Sequence, residues 1–197
     1  QYENALDAAE KHAVPITETL SEMLTPAKDE IDDEKRNLIL VKIGVLLQEQ
    51  GDYHLATKKF TQAGDKIKAM KSLLKSGDTE KIVFFAGMSR QKDIYIMAAN
   101  YLQSLDWQND PKVLKNIVTF YTKGQAYDLL ANFYAVSAQA EIDDFRDYVK
   151  ALKALQEAAK SLVKISPNHS ALETLQHSIL GVKQFLELHD SAERHDF

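Results

Sequence analysis

The chain of 197 residues has no cysteine, few prolines and glycines, and no long apolar run. Without cysteine, disulfide cross-links and thiolate metal sites are both excluded. No stretch approaches the roughly 18 consecutive apolar residues that a membrane-crossing helix needs. The opening residues, QYENALDAAEKHAV, also lack the pattern of a secretory signal peptide. The sequence therefore predicts a folded domain without disulfides and without a transmembrane segment.

Catalytic and metal-binding motifs are missing as well. The six histidines form no HxxxH or HExxH pair, and no carboxylate joins a pair at metal-ligand spacing. No GxSxG motif marks a nucleophilic serine. The acidic runs at 32–34 and 143–144 are each interpreted as residues that precede a helix and complement its dipole. We therefore predict no enzymatic activity, no cofactor and no metal.

The composition is typical of a folded protein, with 45% hydrophobic and 27% charged residues. The formal net charge of −5 argues against a nucleic-acid-binding protein, which usually carries a strongly basic face. Any association with a membrane is expected to be indirect.

Apolar residues recur at steps of three and four along nearly the whole chain, which predicts an all-α fold of about ten or eleven short helices. The β-prone runs within 82–97 are interpreted as buried helices. Between 38 and 47 the apolar positions form two stripes, so that helix must be covered on two sides. Three polar residue–proline pairs, at 25–26, 110–111 and 166–167, are predicted to start helices. Five glycines, at 51, 64, 77, 87 and 124, are predicted to end helices in the left-handed conformation.

The segment GDYHLATKKFTQAG, preceded by IGVLLQEQ, has the spacing of a tetratricopeptide repeat, a helix–turn–helix unit of about 34 residues. Gly44 and Ala56 are small, which lets two antiparallel helices approach closely. Tyr53 and Phe60 are large enough to fill the space between this pair and the next. The clearest repeat spans 37–70. The residues predicted to pack it are Gly44, Gly51, Tyr53, Ala56, Phe60 and Ala63.

Less regular copies follow at Gly77-Asp78, at Gly124-Gln125 and at Tyr148 with Ala151, Leu155 and Ala158. We therefore predict a tetratricopeptide-like α-solenoid of antiparallel helix pairs, forming one domain over 1–197. The alternative is a closed helical bundle, which would hide its apolar faces, whereas a solenoid exposes a long surface that binds other chains.

Two surfaces are predicted to bind partners. The first is the groove side of the repeat's first helix, with Val41, Val45 and Gln48. Its two valines stand where carboxylate-binding repeats place lysine and asparagine, so an apolar groove for a partner segment is favoured. The second is a lysine-rich ridge, for which docking of an acidic partner or anionic lipid headgroups is the alternative to a solvated face. Its lysines are Lys58, Lys59, Lys66, Lys68, Lys71 and Lys75.

The run GDYHLATKKFTQAGDKIKAMKSLLKSGDTEKIVFFAG closely resembles the C-terminal tetratricopeptide region of the intraflagellar transport protein 140 family, subunits of intraflagellar transport complex A. The similarity continues through KNIVTFYTKGQAYDLLANFYAVSAQAEID and covers roughly two thirds of the chain. It implies a non-enzymatic scaffold that contacts other complex A subunits at the cilium, the ciliary basal body, the cytoplasm and the cytoskeleton. It also implies roles in retrograde ciliary transport and in the entry of ciliary membrane proteins.

Members of this family have WD-repeat propellers before their helical region, and no propeller sequence is present here. We therefore expect the chain to be a C-terminal piece of a longer protein. Two other functions stay open at this point. One is a coat-type vesicle-trafficking solenoid or a general tetratricopeptide adaptor outside cilia. The other is a helical regulatory domain of an enzyme, since helical repeats serve many functions.

Overall fold

The computed structural model describes residues 2–195, with side chains up to residue 192. These residues form eleven α-helices and no β-strand, so the prediction of an all-α fold of tetratricopeptide-like helix pairs is confirmed. The described residues divide into two compact units, one ending at Ile117 and the other beginning at Val118. The prediction of a single domain over 1–197 stays a prediction.

Seven helices lie wholly in the first unit. They are α1 (Tyr2–Lys11), α2 (Glu18–Met23), α3 (Asp33–Glu49), α4 (Tyr53–Gln62), α5 (Lys66–Ser76), α6 (Thr79–Ser89) and α7 (Lys92–Leu102). The boundary between the units falls within α8 (Pro111–Gly124). Three helices lie wholly in the second unit. They are α9 (Tyr127–Asp143), α10 (Tyr148–Val163) and α11 (Ala171–His195). The β-prone runs 82–85 and 94–97 are helical, as predicted, and belong to α6 and α7.

Both apolar stripes of α3 are buried, so this helix is covered on two sides as predicted. Ile39, Ile43 and Leu46 join a core cluster with Leu6 of α1, while Leu47 of the second stripe joins it beside α4. The helices α1 and α4 both pack against α3, and α5 packs against α4. The burial of a large aliphatic side chain stabilises the fold by about 1.5–3 kcal/mol, so these stripes fix where α3 lies.

A Gly-Asp pair forms each of the three turns from α3 to α6. The glycines at 51, 64 and 77 all have positive φ, between 70° and 86°, as predicted. The aspartate that follows each glycine caps the next helix, because its side chain accepts a hydrogen bond from the backbone N–H three residues later. These turns are short because one residue reverses the chain and the next starts the new helix.

Two of the five glycine predictions are wrong. Gly87 lies inside α6, and the left-handed residue at the end of that helix is Arg90, with φ of 54°. Gly124 is the last residue of α8, and the left-handed residue there is Gln125, with φ of 57°. Both left-handed positions are occupied by long polar residues, and the spacing of apolar residues does not predict that such a residue will adopt a positive φ.

Of the three proline predictions, only that at Asp110-Pro111 is confirmed, since α8 begins at Pro111 and Asp110 accepts hydrogen bonds from the first turn. The predictions at 25–26 and 166–167 are wrong. Thr25 ends the α2 region, because its hydroxyl donates to the carbonyl of Ser21 at 2.7 Å. Ser166 belongs to a turn, and α11 begins only at Ala171, whose N–H donates to His169 Nδ1 at 3.2 Å.

The two acidic runs differ. Asp32 caps α3, and the first turn of that helix contains further acidic residues, as predicted. The prediction for 143–144 is wrong, because Asp143 ends α9 and Asp144 follows it. The aspartate that caps the next helix is Asp147, which accepts from the N–H of Lys150 at 2.9 Å.

In the second unit, α10 packs against both α9 and α11. Its small residues Ala151 and Ala158 are completely buried, and Leu155 between them is almost so. This small–large–small spacing repeats the pattern of α4. Tyr148 at the start of α10 lies against Phe185 of α11, with ring centroids 4.3 Å apart.

Candidate partner-binding surface

The contact between α3 and α4 depends on the absence of a side chain at Gly44. A Cβ atom built there would lie 2.7 Å from Cε1 of Phe60 and 2.9 Å from two further ring atoms. Real Cβ atoms do not approach other heavy atoms so closely, and the Phe60 ring is only 1% exposed. The ring of Phe60 therefore occupies the space that a side chain at position 44 would need.

The other residues predicted to pack the repeat have different surroundings. Ala56 is completely buried in the core cluster, whereas Tyr53 is half-buried and its carbonyl accepts a hydrogen bond from Ser72 Oγ of α5 at 3.1 Å. Ala63 is half-buried and follows the last residue of α4. A Cβ at Gly51 would meet no atom within 4 Å, so this glycine is needed for its positive φ and not for space.

A cleft of about 600 Å³ lies between α3 and α5, both of which pack against α4. Phe60 of α4 and Glu49 of α3 are part of its lining. We call this cleft the α3/α5 groove. Its other lining residues are Val45, Gln48, Lys68, Lys71, Leu74 and Lys75. The structure thus brings together Val45 and Gln48 from the first predicted surface and three lysines from the second.

Val41 lies outside the α3/α5 groove. It lines a separate depression of about 360 Å³, together with Leu38 on α3 and Ala63 to Asp65 in the turn after α4. Val41 is itself half-buried and packs against the core cluster, whereas Leu38 is 61% exposed. The exposed apolar side chain in this depression is therefore that of Leu38, which the sequence reasoning did not select.

The structure separates the six lysines of the predicted ridge. Lys59 is completely buried, and its ammonium group donates to the carbonyl of Ser21 at 3.2 Å and to Thr25 Oγ1 at 2.8 Å. It also lies 3.2 Å from Glu22 Oε1. Lys59 thus ties α4 to the end of α2, where a cation also interacts favourably with the helix dipole. It does not belong to an exposed surface.

Two further lysines of the ridge do not line the groove and have partners elsewhere. Lys58 donates to Glu22 Oε1 at 2.9 Å, and Lys66 donates to the carbonyl of Ser89 at 3.3 Å. The hydrogen bond with Glu22 raises the pKa of Lys58, whereas burial lowers the pKa of Lys59. Hydrogen bonds from Lys58 and Lys59 lower the pKa of Glu22. Only Lys68, Lys71 and Lys75 line the groove.

Sequence reasoning missed Leu74 as a lining residue, although a signal for it was present. Leu74 stands three residues after Lys71, and residues at this spacing share one face of a helix. No comparable signal existed for the burial of Lys59, because the sequence alone does not distinguish a buried lysine in this lysine-rich segment from the exposed lysines beside it.

Among the described residues, no group of three or more histidine, aspartate or glutamate side chains is arranged to hold a metal ion. Within the same part of the chain, no helix combines the length and apolar character that a bilayer crossing requires. The geometry of the described surface is that of a groove between helices.

Comparison with known protein families agrees with this geometry. Residues 1–120 match the sequence model of the tetratricopeptide (TPR) domain of intraflagellar transport proteins 140 and 172. The chain belongs to this family. Residues 128–196 of this family member match a second sequence model, that of the C-terminal TPR domain of intraflagellar transport protein 140. The resemblance to the intraflagellar transport protein 140 family is thereby confirmed.

The two matched regions follow the two compact units closely, since the first match ends within α8 and the second begins within α9. Tetratricopeptide families are typically non-enzymatic modules that bind other proteins. Membership of the intraflagellar transport 140/172 TPR family therefore indicates a scaffold or interaction role in a cilium-associated transport protein.

Proposed function

We propose that this member of the intraflagellar transport 140/172 TPR family is a non-enzymatic scaffold in intraflagellar transport complex A. In this role it supports assembly of the complex, retrograde ciliary transport and entry of ciliary membrane proteins, at the cilium and its basal body. The family matches over residues 1–120 and 128–196 are the observation on which the proposal depends. Its partners are other subunits of complex A.

The α3/α5 groove supports the binding part of the proposal. It presents the apolar side chain of Val45, which is 39% exposed, beside the polar side chain of Gln48 and the lysines of α5. Exposed apolar surface rimmed by polar groups is typical of protein interaction sites. Leu38 and Val41 extend the candidate surface along α3 into the neighbouring depression.

The test captures complex A subunits from ciliated cells with the immobilised chain. We expect the wild-type chain to retain these subunits and Val45→Glu to retain far fewer. A carboxylate placed against an apolar partner residue loses its hydration and gains no hydrogen bond or opposite charge in exchange. Val136→Glu on α9 is the matched control, since Val136 is 56% exposed and lies in the other unit. Circular dichroism would show that both variants stay helical.

The outcomes separate the function from the site. Capture of no complex A subunit by the wild-type chain would contradict the proposed function. Equal capture by the wild type, Val45→Glu and a variant with the groove lysines reversed to glutamate would leave the function standing and refute the groove. Localisation of the full-length protein provides a second test, in which enrichment at vesicle membranes away from basal bodies and axonemes would argue against the ciliary role.

A further inference from the structure

The charge of the α3/α5 groove is opposite to that of the chain as a whole. The chain has a formal net charge of −5, yet the groove is lined by three lysines and a single acidic residue, Glu49. Positive charge concentrated in a cleft attracts an anionic partner more strongly than the same charge spread over a convex surface. The net charge of the chain therefore does not describe what this groove would bind.

Within the part of the chain that the structure describes, two of the three lysines have no partner of their own. Lys68 is paired with Asp65, with Nζ 3.2 Å from Oδ2. Neither Lys71 nor Lys75 has an ion-pair or hydrogen-bond partner within the described part of the chain, and both are exposed. Their ammonium groups are thus available to a ligand, in contrast to those of Lys58 and Lys59, which are already bound to the α2 region.

The spacing of these two lysines restricts the ligand. They stand four residues apart on α5, which separates them by about 6 Å along the helix axis. Carboxylates two residues apart in an extended chain, or four apart in a helix, are separated by a similar distance. Between the lysines, Leu74 is half-buried, and Val45 faces the same cleft from α3. A ligand therefore needs a pair of carboxylates and an apolar side chain next to them.

We propose that the α3/α5 groove binds an acidic protein segment whose paired carboxylates contact Lys71 and Lys75 and whose apolar side chain packs on Val45 and Leu74. The inference rests on the proposed scaffold function and deepens it by naming the chemistry of the partner. Anionic lipid is the less favoured ligand because these groups line a cleft between two helices, where a planar bilayer surface meets the rim and not the apolar side chains within.

The experiment measures binding of fluorescent peptides of about twelve residues to the whole chain by anisotropy. The probe peptide carries glutamates four apart and leucine on the same helical face. Two matched peptides replace the glutamates by glutamine or the leucine by serine. We expect each replacement to weaken binding by about tenfold. Raising the salt concentration from about 50 to about 300 mM should weaken binding of the probe peptide several-fold, because salt screens the charges.

Variants locate the binding site. Lys71→Glu/Lys75→Glu should weaken binding of the probe peptide by at least about tenfold. Lys115→Glu/Lys183→Glu makes the same change in net charge at exposed positions elsewhere and should leave the affinity for the peptide within about twofold of the wild type. Equal weakening by both pairs, or no binding of the acidic peptide, would overturn the proposal. So would lysine-dependent binding to vesicles of phosphatidylserine and phosphatidylcholine without peptide binding.

The capture experiment tests this inference separately from the proposed scaffold function on which it rests. If Lys71→Glu/Lys75→Glu retains complex A subunits as well as the wild type does, the acidic-segment inference fails while the scaffold function stands. If the wild-type chain binds the acidic peptide but captures no complex A subunit, the groove chemistry stands and the proposed function fails.

Discussion

Gly44→Ala is expected to destabilise the first unit although alanine is the better helix former. In an unobstructed helix, replacement of glycine by alanine stabilises the protein by about 0.4–1 kcal/mol. At position 44 the new methyl group would lie 2.7–2.9 Å from three atoms of the Phe60 ring. The ring is buried and cannot turn into solvent, so α3 and α4 must separate or Phe60 must leave its preferred rotamer.

The cost of such overpacking is about 1–3 kcal/mol, which exceeds the gain in helix propensity. We therefore expect a net loss of about 1 kcal/mol in the free energy of unfolding, or roughly 4 °C in melting temperature for a unit of this size. Gly87→Ala is the matched control, because Gly87 also lies inside a helix but a Cβ there would meet no atom within 4 Å. It should stabilise by up to about 1 kcal/mol.

The assay is urea unfolding followed by the fluorescence of Trp107, the single tryptophan of the sequence, which lies in the first unit. The two glycine variants should shift the free energy of unfolding in opposite directions from the wild type and differ from each other by about 2 kcal/mol. Combining Gly44→Ala with Phe60→Leu should cost less than the sum of the two single changes, because the smaller side chain makes room for the methyl group.

The reasoning fails if Gly44→Ala stabilises the protein as much as Gly87→Ala does. It also fails if the costs of Gly44→Ala and Phe60→Leu are strictly additive, since residues in contact should be coupled. Gly44→Ala should also affect the groove. Because Phe60 is part of the lining, a displaced Phe60 ring should weaken binding of the acidic peptide.

Other predictions concern the contacts of α2 and the helix caps. Lys59→Ala should cost about 2 kcal/mol or more because it removes a buried charged donor, whereas Lys58→Ala, which removes an exposed partner of the same Glu22, should cost clearly less. Urea unfolding of both variants checks this, and equal costs would contradict it. Stability should also fall as the pH drops from about 5 to 3. Hydrogen bonds from Lys58 and Lys59 hold the pKa of Glu22 below its ordinary value of 4.5, and those from Lys81 hold the pKa of Asp78 below 3.8. A folded-state pKa that is lowered gives stability above the unfolded pKa that is lost as the pH falls through the folded one. Asp78→Asn, which keeps a capping side chain, should show a smaller decrease of melting temperature in acid, and an unchanged decrease would count against the assignment.

Features encoded by neighbouring residues could be predicted from the sequence. The step of three and four in apolar residues predicted the helices, and the glycines at 51, 64 and 77 predicted where three of them end, since a helix end depends on backbone conformation within a few residues. The proline pairs at 25–26 and 166–167 misled because a polar residue followed by proline is typical of turns as well as of helix starts. There, Thr25 and Ser166 make turns instead.

The candidate site was only partly predictable for a different reason. The cleft is lined by Val45 and Gln48 from one helix and by Lys71 from another, more than twenty residues away. The sequence near either segment does not predict that the two line the same cleft. That arrangement depends on α3 and α5 both packing against α4, with Phe60 beneath Gly44.

By itself, the sequence determined the helical class, the three turns from α3 to α6 and the family, because these depend on the spacing of nearby residues and on similarity along the chain. The tertiary structure decided which lysines are available to a partner. Lys59 is buried against α2, and Lys71 and Lys75 face the α3/α5 groove, because the burial of a charge depends on which helix covers it and not on its neighbours in sequence.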